Sequence, residues 1–302
     1  MNRVDVAIVG AGPAGISAAI NCKIRNKSMI LFGNGMLSDK VAKAELINNY
    51  PGLQGMSGAE FNAGLKEHLD SLEINITEEK VTQIYPMQDY FAIMTPDNQY
   101  EAKTVIMAVG VDAKKAIPGE KEFLGRGVSY CATCDGAFFA GRTVAVVGGG
   151  DVALEDAIFL ARGCEKVYVI HRRDEFRGAQ VLQKRLKELD NAEILWDTVV
   201  EEIQGNGQVE GVRIKNIKTD ETSQLPLDGV FIAVGILPNT EDFQGLVAMD
   251  DGNYIVAGED CVTSQPGIFA AGDVRTKPLR QIVTAAADGA CAVTSVQNYL
   301  LG

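Results

Sequence analysis

The chain has 302 residues, enough for two domains with separate cores, and its 46% apolar content and 32 glycines suit a globular protein rich in tight backbone positions. A net charge of −12 excludes nucleic-acid phosphates and anionic membranes from the expected partners. Apolar runs are broken well short of a membrane span, and Asp5 with the following Gly-Pro cluster interrupts the one N-terminal run, so a cytoplasmic protein is expected.

In chain order, the first element is an apolar strand, Val4 to Val9, that runs directly into Gly10-Ala11-Gly12-Pro13-Ala14-Gly15 and then into a helical pattern. Strand, glycine turn and helix in this order form a dinucleotide fingerprint. Gly10 permits the turn, Gly12 lets backbone approach a pyrophosphate, and Gly15 lets helix pack on strand. The helix N-terminus offers free N–H groups and partial positive charge to phosphates. The next strand lies in "SMILFGNG" (28–35), which carries no acid where a ribose is usually gripped. Asn34, or backbone at Gly33 and Gly35, is therefore expected to serve that ribose; a carboxylate standing there would overturn this. "TVIMAVG" (104–110) reads as the strand closing this unit, and "GVFIAVG" (229–235) repeats it further on.

Between those repeats stands "YCATCDGAFF" (130–139). Zinc needs four ligands, and one CxxC with two separated histidines, His68 and His171, does not supply them. A structural disulfide across so short a loop removes little chain entropy. A redox dithiol is the third reading: small Ala132 and Thr133 leave Cys131 and Cys134 accessible, and Asp135 adjoins the second sulfur as a proton donor. Cys22, Cys164, Cys261 and Cys291 read as small buried hydrophobes.

The fingerprint returns in "RTVAVVGGGDVALEDA", with a strand from Thr143 to Val147, then Gly148, Gly150 and Ala153. The following strand, "KVYVI", ends in "HRRDEFR". His171, Arg172, Arg173 and Arg177 stand there instead of an acid, and three guanidiniums suit a 2′-phosphate, which selects NADP(H) over NAD(H). In "GIFAAGDVRTKPLRQIVTAAADG" a strand ends at Gly272-Asp273, and a helical pattern follows from about Leu279. Asp273 is placed to accept from a polyol or ribose. A nicotinamide delivers hydride, which a disulfide does not take readily; a flavin between them does. The three features read together as NADPH, FAD and a redox disulfide, without metal.

These residues resemble the low-molecular-weight, prokaryotic-type NADPH-dependent thioredoxin reductases over nearly the whole length. The resemblance rests on "GAGPAG", "NNYPG" (48–52), "GRGVSYCATCDG", "GGGDVALEDA", "HRRDEFR" and "GIFAAGDVRTKPLRQIVTAAADG". It implies an α/β fold of two Rossmann-like, three-layer ββα dinucleotide-binding domains. The FAD domain would comprise 1–113 and 242–302, with an inserted NADPH domain, 114–241, carrying the dithiol. Two short crossings, near "VDAKKAIPG" and "ILPNTEDF", would form a hinge about which the domains rotate. It further implies that Cys134 is the sulfur nearest the flavin, that Cys131 exchanges with thioredoxin, and that Asp135 donates the proton. Asn49, Asp273, Arg280 and Gln281 would hold FAD with the first glycine turn, and Asp151 would join the NADPH set. The resemblance implies a homodimer joined through the FAD domains. The chain departs from the pattern in "FGNGMLSDKVAKAE" (32–45), which replaces an acid and a Gly-Gly-Gln segment, and in Val152, where Ser or Thr is usual. Rival readings are a ferredoxin-fed flavin thioredoxin reductase, an oxygen-using flavin oxidase of small dithiols, and a non-catalytic zinc or nucleotide-binding module. The arginine cluster speaks against the first two.

Overall fold

Successive side chains of a strand point to opposite faces of its sheet, and the central strand of each half of this protein is apolar on both faces. The computed structural model describes residues 3–35, 37–44, 46–113 and 117–302. Met36 and Glu45, within the stretch that departs from the family pattern, and Lys114, Lys115 and Ala116, at the first crossing, lie outside the described residues. The chain divides into two compact units, Met1–Asp112 with Leu237–Gly302, and Ala113–Ile236.

The first unit begins with β1 (Val4–Val9), α1 (Pro13–Ile24), β2 (Met29–Phe32), α2 (Asp39–Ala42), α3 (Gly58–Ser71) and β3 (Ile76–Thr77). It continues through β4 (Gln83–Pro86), β5 (Phe91–Met94), β6 (Gln99–Met107) and β7 (Val111–Ala113). The second unit holds α4 (Glu120–Phe123), β8 (Val128–Ser129), α5 (Ala132–Asp135), β9 (Thr143–Gly148), α6 (Asp151–Leu160), β10 (Lys166–Ile170) and α7 (Gln180–Lys187). After these come β11 (Ala192–Leu195), β12 (Thr198–Gly205), β13 (Val209–Asn216), β14 (Thr222–Pro226) and β15 (Gly229–Ala233), and β16 (Ile236–Pro238) crosses back into the first unit. The chain ends in β17 (Ile268–Ala270) and α8 (Ile282–Leu301).

In the first unit the sheet order is β3-β2-β1-β6-β5-β4, with β17 also paired to β6. β1 is parallel to both β2 and β6, whereas β5 runs antiparallel to β4 and β6. Val6 and Ile8 face a core shared with α1 and α8, and Ala7 and Val9 face one shared with Ile84, Phe91 and Ile93 of the β4–β5 hairpin. Helices thus cover one face and antiparallel strands the other. The second unit repeats this plan. Its parallel sheet runs β11-β10-β9-β15-β8, and β12-β13-β14 form an antiparallel sheet. Val144 and Val146 pack with Leu154 and Ile158 of α6, while Ala145 and Val147 pack with Ile203, Val209 and Val212 of the antiparallel strands. The two crossings, β7 and β16, pair with each other as a two-stranded sheet.

A buried charge cluster fixes the end of the first unit. Asp288 of α8 accepts from the Gly272 N–H (2.9 Å), from Arg275 Nε and Nη2 (2.8 Å each) and from Lys277 Nζ (2.8 Å). Burial pushes its carboxyl up, but these donors outweigh burial and hold it below the usual carboxylate range. The turn after β17, which carries Asp273, is thereby tied to α8.

Candidate active site

The cradle of the first unit is built from backbone. Gly10 has a left-handed φ of +115° and lies against the Ala108 carbonyl, and a Cβ on Gly15 would collide with the Gly10 carbonyl. Gly12 caps α1 with no side chain bonded to the helix end, Pro13 opens the helix, and a Cβ on Gly12 would meet nothing within 4 Å. The space before the helix N-terminus is open and lined by donors, which suits a pyrophosphate. Gly272, past β17, packs against Ala14. Oδ1 of the neighbouring Asp273 is buried with no hydrogen-bond partner among the described residues. Burial pushes this carboxyl up, against the pull of Lys277, Arg280 and Lys40. An orphaned buried acceptor beside an open glycine turn fits the hydroxyls of a flavin dinucleotide.

Arg280 donates from Nε to the Asp273 carbonyl (3.1 Å), and its guanidinium lies 4.1 Å over the Tyr254 ring. Gln281 caps α8, its N–H bonded to Thr284 Oγ1 (3.1 Å). Asn49 lies exposed in the loop before α3, and Asn34 exposed beyond β2. Gly33 backs onto Ala11 and donates to the Thr77 carbonyl (3.1 Å). A carboxylate does stand beside this loop: a Cβ on Gly35 would collide with Glu78, which directly follows β3.

The second unit holds its own cradle. Gly150 caps α6 with no side-chain hydrogen bond and with open space around its Cα. Asp151, in the first turn, accepts from the Ala179 N–H (2.7 Å), tying α6 to the segment before α7. Val152, beside it, is exposed. His171 is buried beneath the turn: a Cβ on Gly149 would strike its ring, which packs on Phe176 and Trp196 and has Nε2 3.0 Å from the Glu175 carbonyl. Burial lowers its pKa. The imidazole thus shapes the turn from below. Arg172, Arg173 and Arg177 are exposed, and none forms an ion pair among the described residues. The Arg177 N–H returns to the Gly149 carbonyl (2.8 Å), which brings this guanidinium's backbone to the glycine turn.

In the same unit Cys131 and Cys134 form a disulfide, with Cα atoms 5.3 Å apart. Both sulfurs are therefore bonded to each other. Cys131 caps α5: its carbonyl accepts from the Cys134 N–H (3.2 Å) and the Asp135 N–H (3.1 Å). The one-turn helix rests on α6, where a Cβ on Gly136 would press on Leu160 and Phe159.

Sequence reasoning missed Ser129, the last residue of β8. Its hydroxyl donates to Asp135 Oδ2 (2.6 Å) and accepts the Cys131 N–H (3.0 Å), so one buried side chain joins the disulfide backbone to the neighbouring carboxyl. Burial raises the Asp135 pKa, and the Ser129 hydroxyl pulls it the other way. Glu120 was missed as well. It is fully buried and accepts from the Tyr130 hydroxyl (2.5 Å) and the Ile117 N–H (2.8 Å), which holds the residue before Cys131. The serine in "GVSYC" was visible in the sequence, but only the folded turn places it against Asp135.

Fold and chemistry together define a class: proteins that carry electron pairs between dinucleotides and a disulfide. The profile of the pyridine nucleotide-disulphide oxidoreductases matches residues 4–289. A thioredoxin reductase from Bacillus subtilis is 41% identical over 298 residues, covering 98% of this chain and 94% of that protein. The crystal structure of thioredoxin reductase from Streptococcus pyogenes is 42% identical, with a TM-score of 0.92 over 99% of this chain and 98% of that one. A ferredoxin-flavin thioredoxin reductase from Clostridium acetobutylicum is 38% identical over 99% of each chain, with a TM-score of 0.55. The chain belongs to the pyridine nucleotide-disulphide oxidoreductase family, among its low-molecular-weight thioredoxin reductases.

Proposed function

We propose that the chain is a flavoprotein disulfide reductase that takes electrons from NADPH through FAD to the Cys131–Cys134 disulfide and on to thioredoxin. The observation that carries this is the disulfide itself, set in one unit with a dinucleotide cradle and three unneutralised guanidiniums. The first unit is the FAD-binding domain, and the second, Ala113–Ile236, is the NADPH-binding domain. Gly10, Gly12, Pro13, Ala14 and Gly15 hold the FAD pyrophosphate, Asp273 accepts from its polyol, and Asn49, Arg280 and Gln281 line the same site. Gly148, Gly150 and Asp151 form the NADPH turn, His171 supports it, and Arg172, Arg173 and Arg177 bind the 2′-phosphate. FAD, when bound, supplies a ring that accepts hydride and passes an electron pair to a disulfide.

The protein's own residues perform the sulfur chemistry. Two electrons and two protons convert the disulfide into two thiols. The Cys131 thiolate attacks the thioredoxin disulfide, forming a mixed disulfide and releasing one thioredoxin thiolate. Cys134 then attacks Cys131 Sγ, the second thioredoxin thiolate leaves, and the Cys131–Cys134 bond is restored. Asp135, kept protonated to higher pH by burial, supplies a proton to a departing thiolate. The other cysteines are free: Cys22, Cys164 and Cys261 are buried as expected, whereas Cys291, on α8, is exposed and is not the buried hydrophobe the sequence suggested; burial pushes the Cys22 and Cys261 thiols up to about 12. Free thiols beside a single redox pair suit a reducing cytoplasm. Among the described residues no helix is long and apolar enough to cross a membrane. A homodimer joined through the FAD-binding unit completes the reading.

Anaerobic titration tests the whole. NADPH is expected to bleach a yellow protein, and oxidised thioredoxin to restore the colour; a colourless protein that takes up no flavin refutes the reading. Ser129 allows a finer test. Its bond to Asp135 favours the carboxylate, so Ser129→Ala raises the Asp135 pKa further. The acid then stays protonated to higher pH. The alkaline limb of thioredoxin reduction is expected to move to higher pH, while the pH profile of NADPH-dependent flavin reduction stays in place. Coincident profiles for Ser129→Ala and the unsubstituted enzyme would remove Asp135 from the proton path.

A further inference from the structure

We infer that Glu78 is the carboxylate that grips the adenosine ribose of FAD, standing in for the acid that the end of β2 lacks. This rests on the FAD reading above and names a binding residue that the sequence motifs do not contain. In doubly wound units the ribose acid stands about twenty residues past the glycine turn, at the end of the second strand. β2 ends at Phe32, and Gly35 lies in the loop just past it, twenty residues beyond Gly15. The three atoms nearest to a Cβ built on Gly35 all belong to the Glu78 carboxyl group: Oε1, Cδ and Oε2. The space where a side chain at 35 would begin is therefore filled by a carboxylate from elsewhere.

The topology explains how it arrives. β3 runs parallel to β2, with Leu31 opposite Ile76 and Phe32 opposite Thr77, and the Gly33 N–H continues the ladder to the Thr77 carbonyl. Glu78 is the first residue past the end of β3, on the edge where the carboxyl ends of parallel strands receive ligands. Glycine at 35, whose φ is ordinary, leaves room for it. The neighbouring Glu79 has other work, accepting from Thr95 Oγ1 (2.5 Å), Tyr100 OH (2.8 Å) and Asn98 Nδ2 (2.9 Å). Glu78 is exposed and makes no hydrogen bond or ion pair among the described residues, so both its oxygens remain available to a vicinal diol.

The test is direct FAD binding to apoprotein, read by flavin fluorescence rather than by turnover. Glu78→Gln and Glu78→Ala are expected to weaken binding roughly tenfold to a hundredfold, the span of a charge-assisted hydrogen bond. The unsubstituted protein should discriminate against FAD lacking the adenosine 2′-hydroxyl, and the Glu78 variants should not. Gly35→Glu introduced into Glu78→Ala should regain affinity, because the clash at 35 is gone and the acid returns on the neighbouring strand. Equal FAD affinity with and without Glu78, or undiminished discrimination in the variants, overturns the inference while leaving the FAD reading intact. Failure of the unsubstituted apoprotein to bind FAD at all would overturn the FAD reading itself.

Discussion

The Cys134→Ser enzyme is expected to lose all turnover of thioredoxin while NADPH still removes the colour of its flavin at the unsubstituted rate. The two half-reactions use different groups. On the proposed assignment, flavin reduction needs the glycine cradles and the arginine cluster, and neither sulfur takes part. Thioredoxin reduction needs two sulfurs, since a single thiol can open the partner's disulfide but cannot release the mixed disulfide that results. With the alcohol at 134, Cys131 is still a thiol and still caps the one-turn helix of α5. It should therefore be trapped as a covalent adduct by a thioredoxin whose second cysteine is replaced and whose first is activated as a mixed disulfide with a small thiol, an adduct dissociated by added dithiol and visible on a non-reducing gel. Cys131→Ser should give no such adduct. Loss of flavin reduction in Cys134→Ser would contradict the roles assigned, and an adduct only in Cys131→Ser would reverse those of the two sulfurs.

The second large effect concerns the donor. Replacing Arg172 and Arg173 together with alanine should raise the KM for NADPH on the order of a hundredfold at low salt and leave that for NADH nearly unchanged. Both side chains are exposed at the end of β10, so the substitutions disturb no core packing. The salt dependence of the NADPH KM should flatten in the variant, because exposed charge contacts are screened by ions. Equal changes for the two nucleotides would mean that these guanidiniums do not touch the 2′-phosphate.

What could be read from the sequence is what lies close together along the chain. Both glycine turns, the CxxC pair with Asp135, and the arginine run after β10 each span a few residues, and their local order fixes their geometry. Strand ends followed the same logic: Val4–Val9 and Lys166–Ile170 lie where their apolar runs placed them. The helical pattern read from about Leu279 begins instead at Ile282, because Gln281 and Thr284 cap it there. Contacts made by folding were not legible. Glu78 meets Gly35 only because β3 docks beside β2, and nothing in the intervening stretch announces that register. Asp288 reads as one polar residue in a mostly apolar helix until Arg275 and Lys277 fold back onto it. Ser129 gains meaning only when the turn after β8 returns Asp135 to within 2.6 Å.

The pairing of β7 with β16 has a consequence for how such a protein can be rearranged. Adjacent strands lie about 5 Å apart, so the inserted module enters and leaves its host through neighbouring doorways. Excising it would leave two stubs that a short tie could join, and the excised piece would carry its own ends side by side. The architecture is that of a cassette, in which the sulfur-bearing half can be exchanged or grafted without rethreading the half that hosts it.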